Sequence, residues 1–154
     1  AKEDAPNSEQ INYVSGVLYF NANQMEEARL DFHRVLSSGS SNCDAYSYLG
    51  LIYIESDESK AINYFLGMCS CIDTSIRNLE RDIASLPALD LDPADRDSLK
   101  TKLQEKLAAS RKSSAEMITN AITMVGLTKD DRKQFYIKLM QESLEKIRAR
   151  LGPS

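Results

Sequence analysis

Apolar residues recur at helical spacing along most of this chain. Ile11, Val14 and Leu18 form one such set, and Met25, Ala28, Phe32, Val35 and Leu36 form the next. Spacings of three and four residues place such positions on one side of a 3.6-residue helix. Ile72, Ile76, Leu79, Ile83 and Leu86 follow steps of 4, 3, 4 and 3, an apolar seam along one helix face. Leu99, Leu103, Leu107, Ser110, Ser114, Ile118, Ile122 and Val125 extend a similar stripe, with small residues at its centre. Tyr136, Met140, Ser143, Leu144, Ile147 and Leu151 mark a last helix. The pattern predicts an all-α fold.

Boundary residues fit these helices. Asn23 with Glu26 reads as a capping box, and Gly39 as a left-handed stop. Asp44 or a polar neighbour opens the next helix, and Asp57 the one after. Pro87 ends the seam. Asp92-Pro93-Ala94-Asp95 starts a helix that runs to about Val125, roughly 48 Å at 1.5 Å per residue. Gly126 stops it, Thr128-Lys129-Asp130-Asp131 starts the next, and Gly152-Pro153 ends that one. The last two helices are expected to form an antiparallel hairpin. The weakly apolar stretch 108–114 leaves open whether the first of them is continuous.

A longer period lies over the first half. Gly16 and Gly50 are 34 residues apart, each with a tyrosine three residues on (Tyr19, Tyr53). Ala28 and Phe32 are echoed 33 residues later by Ala61 and Phe65. Small and aromatic residues at a fixed period of this length mark a repeat architecture. Each unit resembles a tetratricopeptide repeat: Gly16 and Gly50 stand at the small position of the first helix, Ala28 and Ala61 at that of the second. Tyr46 and Leu49 fit the opening of the motif in the second unit, whereas Asn12 and Ser15 depart from it in the first. Neither unit carries the closing proline. The resemblance covers residues 8–70, preceded by a polar lead-in at 1–7 and followed by a helical extension at 71–154.

The resemblance implies two antiparallel helix hairpins and a binding role. By position, the concave face would hold Gln10, Tyr13, Val17, Phe20 and Asn21 from the first unit, and Asp44, Ser47, Leu51, Ile54 and Glu55 from the second. Tyr13, Val17, Phe20, Leu51 and Ile54 make this groove mostly apolar. Chaperone-binding members of the family grip a carboxylate with lysine and asparagine. Tyr13, Val17, Ser47 and Tyr48 stand there instead, which argues against that role. The groove either takes a helical or extended segment of a protein partner, with Asp44 and Glu55 setting its orientation, or is filled by the chain's own C-terminal helices. In the second case, assembly through the C-terminal helices, including a homo-oligomer, is the alternative.

Charge is uneven. Residues 1–70 carry −6 and residues 71–154 carry +2. An acidic repeat surface suits a basic partner, although solvated helix faces account for the same numbers. No dense basic stripe suggests nucleic-acid binding. The longest apolar run, Leu49–Ile54, is far short of the roughly 18–20 residues that span a bilayer. Three cysteines, Cys43, Cys69 and Cys71, argue against a disulfide-stapled fold and mildly for a reducing, cytoplasmic setting. Cys69-Ser-Cys71 lacks a second pair for zinc, and His33 is the only histidine. The acidic cluster Asp90, Asp92, Asp95 and Asp97 lacks the glycine and alternate spacing of a calcium loop, and reads as helix capping. No phosphate loop, nucleophile elbow or metalloprotease motif is present. The expectation is a non-enzymatic interaction module without a cofactor: adaptor, scaffold subunit or assembly chaperone.

Overall fold

A computed structural model describes residues 8–39 and 41–150. Six α-helices are present among them: α1 (Glu9–Asn21), α2 (Met25–Ser37), α3 (Cys43–Tyr53), α4 (Glu58–Ser85), α5 (Pro93–Gly126) and α6 (Lys133–Arg150). A short 3-10 turn, Leu86–Ala88, follows α4. The fold is all-α, as the periodicity predicts. The lead-in at 1–7 and the stop at Gly152-Pro153 lie outside the described residues.

The chain is laid out as consecutive antiparallel pairs. α1 packs on α2, α3 on α4, and α5 on α6, with α2–α3 and α4–α5 joining the pairs in a row. The first two pairs share one device. A methyl group built on Gly16 would lie 2.9 Å from Phe32 Cε1, and one built on Gly50 would lie 2.5 Å from Phe65 Cε1. Each phenylalanine is essentially fully buried. The absence of a side chain on the first helix thus makes room for the ring of the second. The 33–34-residue period in the sequence is the record of this contact.

Helix ends follow local chemistry in most places. Ser8 caps α1 by accepting from the Ile11 N–H at 3.3 Å, and Asp57 caps α4 by accepting from Lys60 at 3.1 Å. Pro93 takes the first turn of α5 as expected; Asp92 stands at the N-cap position but makes no side-chain cap hydrogen bond, a correction to its reading as a capping residue. Gly39 has φ 76°, the left-handed conformation anticipated for it. Asn23 is a correction: it has φ 60° and sits in the turn, and Gln24 precedes α2 without a side-chain cap bond. Asparagine tolerates that conformation better than most residues, so it serves the turn rather than the cap. Thr128 is a further correction. Its hydroxyl donates to Val125 O at 2.7 Å and closes α5, and α6 begins only at Lys133.

α4 runs without a break through residue 70, where the repeat motif fades. Its first half completes the second hairpin. Its second half presents Ile72 and Ile76, both buried, to the C-terminal hairpin. α5 is continuous through 108–116, and Ser114 is buried within it. Arg111 donates to Glu80 at 3.1 Å, tying the weakly apolar middle of α5 to α4. The resulting core joins Phe65, Met68, Ile72, Ile76, Ile118, Val125, Met140 and Leu144 across α4, α5 and α6.

The cysteine reading is overturned. Cys43 and Cys71 form a disulfide with Cα atoms 5.6 Å apart, a separation that suits the bond. They are 28 residues apart in sequence, and only the antiparallel packing of α3 on α4 brings them together. Cys69 is a free thiol, buried, with burial raising its pKa to about 11. Two residues apart on one helix, Cys69 and Cys71 face different neighbours, so the C-x-C sequence is not a functional pair here.

Two outcomes follow for solution measurements. Denatured but unreduced protein should give one thiol per chain, and reduced protein three; the Cys71→Ser variant should lose about 3–4 kcal/mol of stability from loop closure. Gly50→Ala should destabilise more than Gly16→Ala in urea melts. A better helix former offers about 1 kcal/mol, but overpacking costs roughly 1–3 kcal/mol, and the Phe65 ring has less room to yield.

Candidate partner-binding surface

Phe32 organises the interface between the first two hairpins. Tyr48 of α3 stacks on its ring with centroids 4.7 Å apart and planes 6° apart. Phe20 meets Tyr48 edge-on at 5.0 Å, and Tyr13 does so at 6.3 Å. Around them Ala28, Phe32, Val35, Ala45 and Leu49 are wholly buried. The hydroxyl of Tyr13 donates to Asp44 Oδ2 at 3.2 Å, linking α1 to α3. Burial, and then the Asp44 carboxylate, push the Tyr13 pKa well above its ordinary value, so the phenol stays protonated.

Of the groove positions expected from the sequence, Tyr13, Val17 and Phe20 are half-buried and pack into this interface. Leu51 and Ile54 are also half-buried, and pack against the core that α4 shares with α5 and α6. Ser47 is half-buried; Gln10, Asn21, Asp44 and Glu55 are exposed. The apolar members of the set therefore sit between successive helix pairs, and the polar ones form the rim.

On the other side of the first interface, His33 Nε2 lies 3.2 Å from the Tyr53 hydroxyl, and Tyr53 stacks on Tyr64 at 5.5 Å. Arg29 and Lys60 flank this cluster, with Lys60 Nζ 4.7 Å from the Tyr53 ring centroid. Burial, then the charges of Arg29 and Lys60, hold His33 below its ordinary pKa. The cluster joins α2 to α3 and α4 and is a packing feature with a polar edge.

Among the described residues, exposed apolar side chains are grouped on two surfaces. The first is on α1: Ile11 and Val14 are each 49% exposed and Leu18 is 64% exposed. With Gln10 and Ser15 they line a shallow trough. The second is on the C-terminal hairpin, where Phe135 is 61% exposed and Leu139 38%. Beside Leu139 a cleft of about 310 Å³ opens between α4 and α6, floored by Cys69, Ile72, Ile76 and Met140 and rimmed by Asp73, Glu142 and Lys146. The apolar spacing of Ile11, Val14 and Leu18 was visible in the sequence; that this face has no neighbour among the described residues was not. No helix among the described residues is long and apolar enough to cross a membrane.

No family model, no curated protein and no solved structure matches this chain.

The different settings of Leu51 and Leu18 predict opposite behaviour. Leu51→Glu places a charge against the core and should lower stability by about 2–4 kcal/mol in chemical denaturation. Leu18→Glu, on the open stripe, should stay within about 0.5 kcal/mol of wild type.

Proposed function

We propose that the chain is a non-enzymatic protein–protein interaction module of the tetratricopeptide type, acting as a scaffold or adaptor subunit. The observation that carries this reading is the exposed apolar stripe Ile11, Val14 and Leu18 on a regular helix whose other side is packed. Large apolar side chains grouped on one face mark an interaction site more often than an idle surface. The concave set Tyr13, Val17, Phe20, Leu51 and Ile54 takes a structural part, because its members lie between helix pairs. Asn21, Asp44 and Glu55 are exposed at the rim of that set. No cofactor is assigned. The Cys43–Cys71 bridge favours an oxidising compartment over the cytoplasmic one expected from the cysteine count.

A second reading, a complex subunit assembling through its C-terminal helices, is favoured by Phe135, Leu139 and the α4–α6 cleft. Affinity capture from source lysate with mass spectrometry separates the two. A prey held by wild type and by folded Phe135→Ser, but lost by folded Leu18→Glu, supports the α1 surface. Loss with Phe135→Ser alone supports the second reading. Retention of all prey by both variants rejects both surfaces.

A further inference from the structure

The repeat itself indicates what covers α1. The 34-residue step that carries Gly16 onto Gly50 carries Ile11, Val14, Ser15 and Leu18 onto Ala45, Tyr48, Leu49 and Ile52. Those four residues are the face with which α3 seats on the first hairpin: Ala45 and Leu49 are wholly buried there, and Tyr48 and Ile52 pack against the same cluster. Three of the four equivalent positions on α1, Ile11, Val14 and Leu18, are thus apolar and open, while half-buried Ser15 stands where α3 has Leu49. The surface that receives α3 consists of Tyr13, Val17 and Phe20 from α1 and Phe32 and Val35 from α2. We propose that α1 is itself a docking face, and that its occupant is an antiparallel helix hairpin presenting a receiving surface of this aromatic and aliphatic kind. This deepens the interaction-module reading and rests on it.

Other occupants fit less well. On a second copy the surfaces equivalent to this receiving surface are already occupied. That of its first hairpin is covered by α3, and its equivalent on the second hairpin, Leu51, Ile54, Phe65 and Met68, is packed into the core shared with α5 and α6. Two α1 stripes facing each other would bring single helices together. Such a contact falls well short of the roughly 800 Å² per partner of a stable interface. Residues 1–7, Ala-Lys-Glu-Asp-Ala-Pro-Asn, contain no large apolar side chain to lay over the stripe. Charge adds a further feature of the partner. Helix α1 has no basic residue, and on α2 Arg29 and Arg34 bond to Glu26 and Asp31 of the same helix. Residues 8–39 carry a net −2, so a basic rim on the hairpin is favoured.

The test extends the full chain by one hairpin of known chemistry: residues 9–42 are duplicated directly ahead of Glu9. The added copy then offers Tyr13, Val17, Phe20, Phe32 and Val35 to the native α1. In a row of repeats, stability grows with each well-matched neighbour. The expected result is a single cooperative melt more than about 5 °C above the parent, with the gain removed by Leu18→Glu in the downstream α1. A matched control carries Ile11→Ala, Val14→Tyr and Ser15→Leu in that α1, reproducing the face of α3 with Leu18 standing for Ile52. If the control gains stability and the native face does not, the proposal is overturned. If neither gains, the idea that the docking step continues beyond α1 fails as well. Light scattering on the unextended chain gives the remaining outcome: a concentration-dependent dimer lost in Leu18→Glu would assign the face to a second copy instead. Failure of the duplication test leaves the capture experiment free to succeed, so loss of the hairpin partner and loss of the interaction-module reading are distinguishable.

Discussion

The close approach of a helix to a phenylalanine ring sets the geometry of the first half of the molecule. In each of the first two hairpins a glycine removes the side chain that would otherwise hold the helices apart, and the opposing ring fills the space. Phe32 then does more than close its own hairpin. Its other face is the platform for Tyr48, which brings Phe20 and Tyr13 into the same cluster. One aromatic ring therefore sets both the spacing within a pair and the seating of the next pair. Dense packing makes such a contact unforgiving, since a shift of a few tenths of an ångström at the ring is transmitted to every neighbour.

α4 is where the repeat gives way to something else. Its first half obeys the glycine–phenylalanine rule, with Phe65 under Gly50. Its second half supplies Ile72 and Ile76 to a core built with α5 and α6. Because the helix is unbroken, the C-terminal hairpin is held in a defined position on the last receiving surface of the row. The side chain of Glu58 strengthens this by accepting from the Lys129 N–H at 2.8 Å, fixing the α5–α6 turn to the start of α4. The Cys43–Cys71 bridge clamps the other end of the same hairpin.

One end of the row is thus closed and the other open. At the closed end, residues with the apolar character of a binding groove are used for internal packing. At the open end, the same kind of apolar face remains exposed on α1. This asymmetry gives the molecule a direction, and it leaves exposed apolar side chains on a helix face rather than in the concavity.

Much of this was legible in the chain alone. The 3.6-residue periodicity specified helices, because apolar spacing on a helix face depends only on local geometry. The recurrence of Gly16 with Phe32 and Gly50 with Phe65 specified paired helices at close range, because only a missing side chain accounts for a small residue at that step. Asp57 marked a boundary through local hydrogen bonding, and Pro93 and Gly39 did so through backbone preference. What remained hidden depended on distance in three dimensions. Cys43 and Cys71 meet because α3 and α4 run antiparallel in one register, which no cysteine spacing announces. Leu51 and Leu18 are both leucines on largely apolar helices, yet one is covered by a neighbouring pair and the other faces outward. Periodicity reports which residues share a face; which faces find a neighbour is a property of how the helices are assembled.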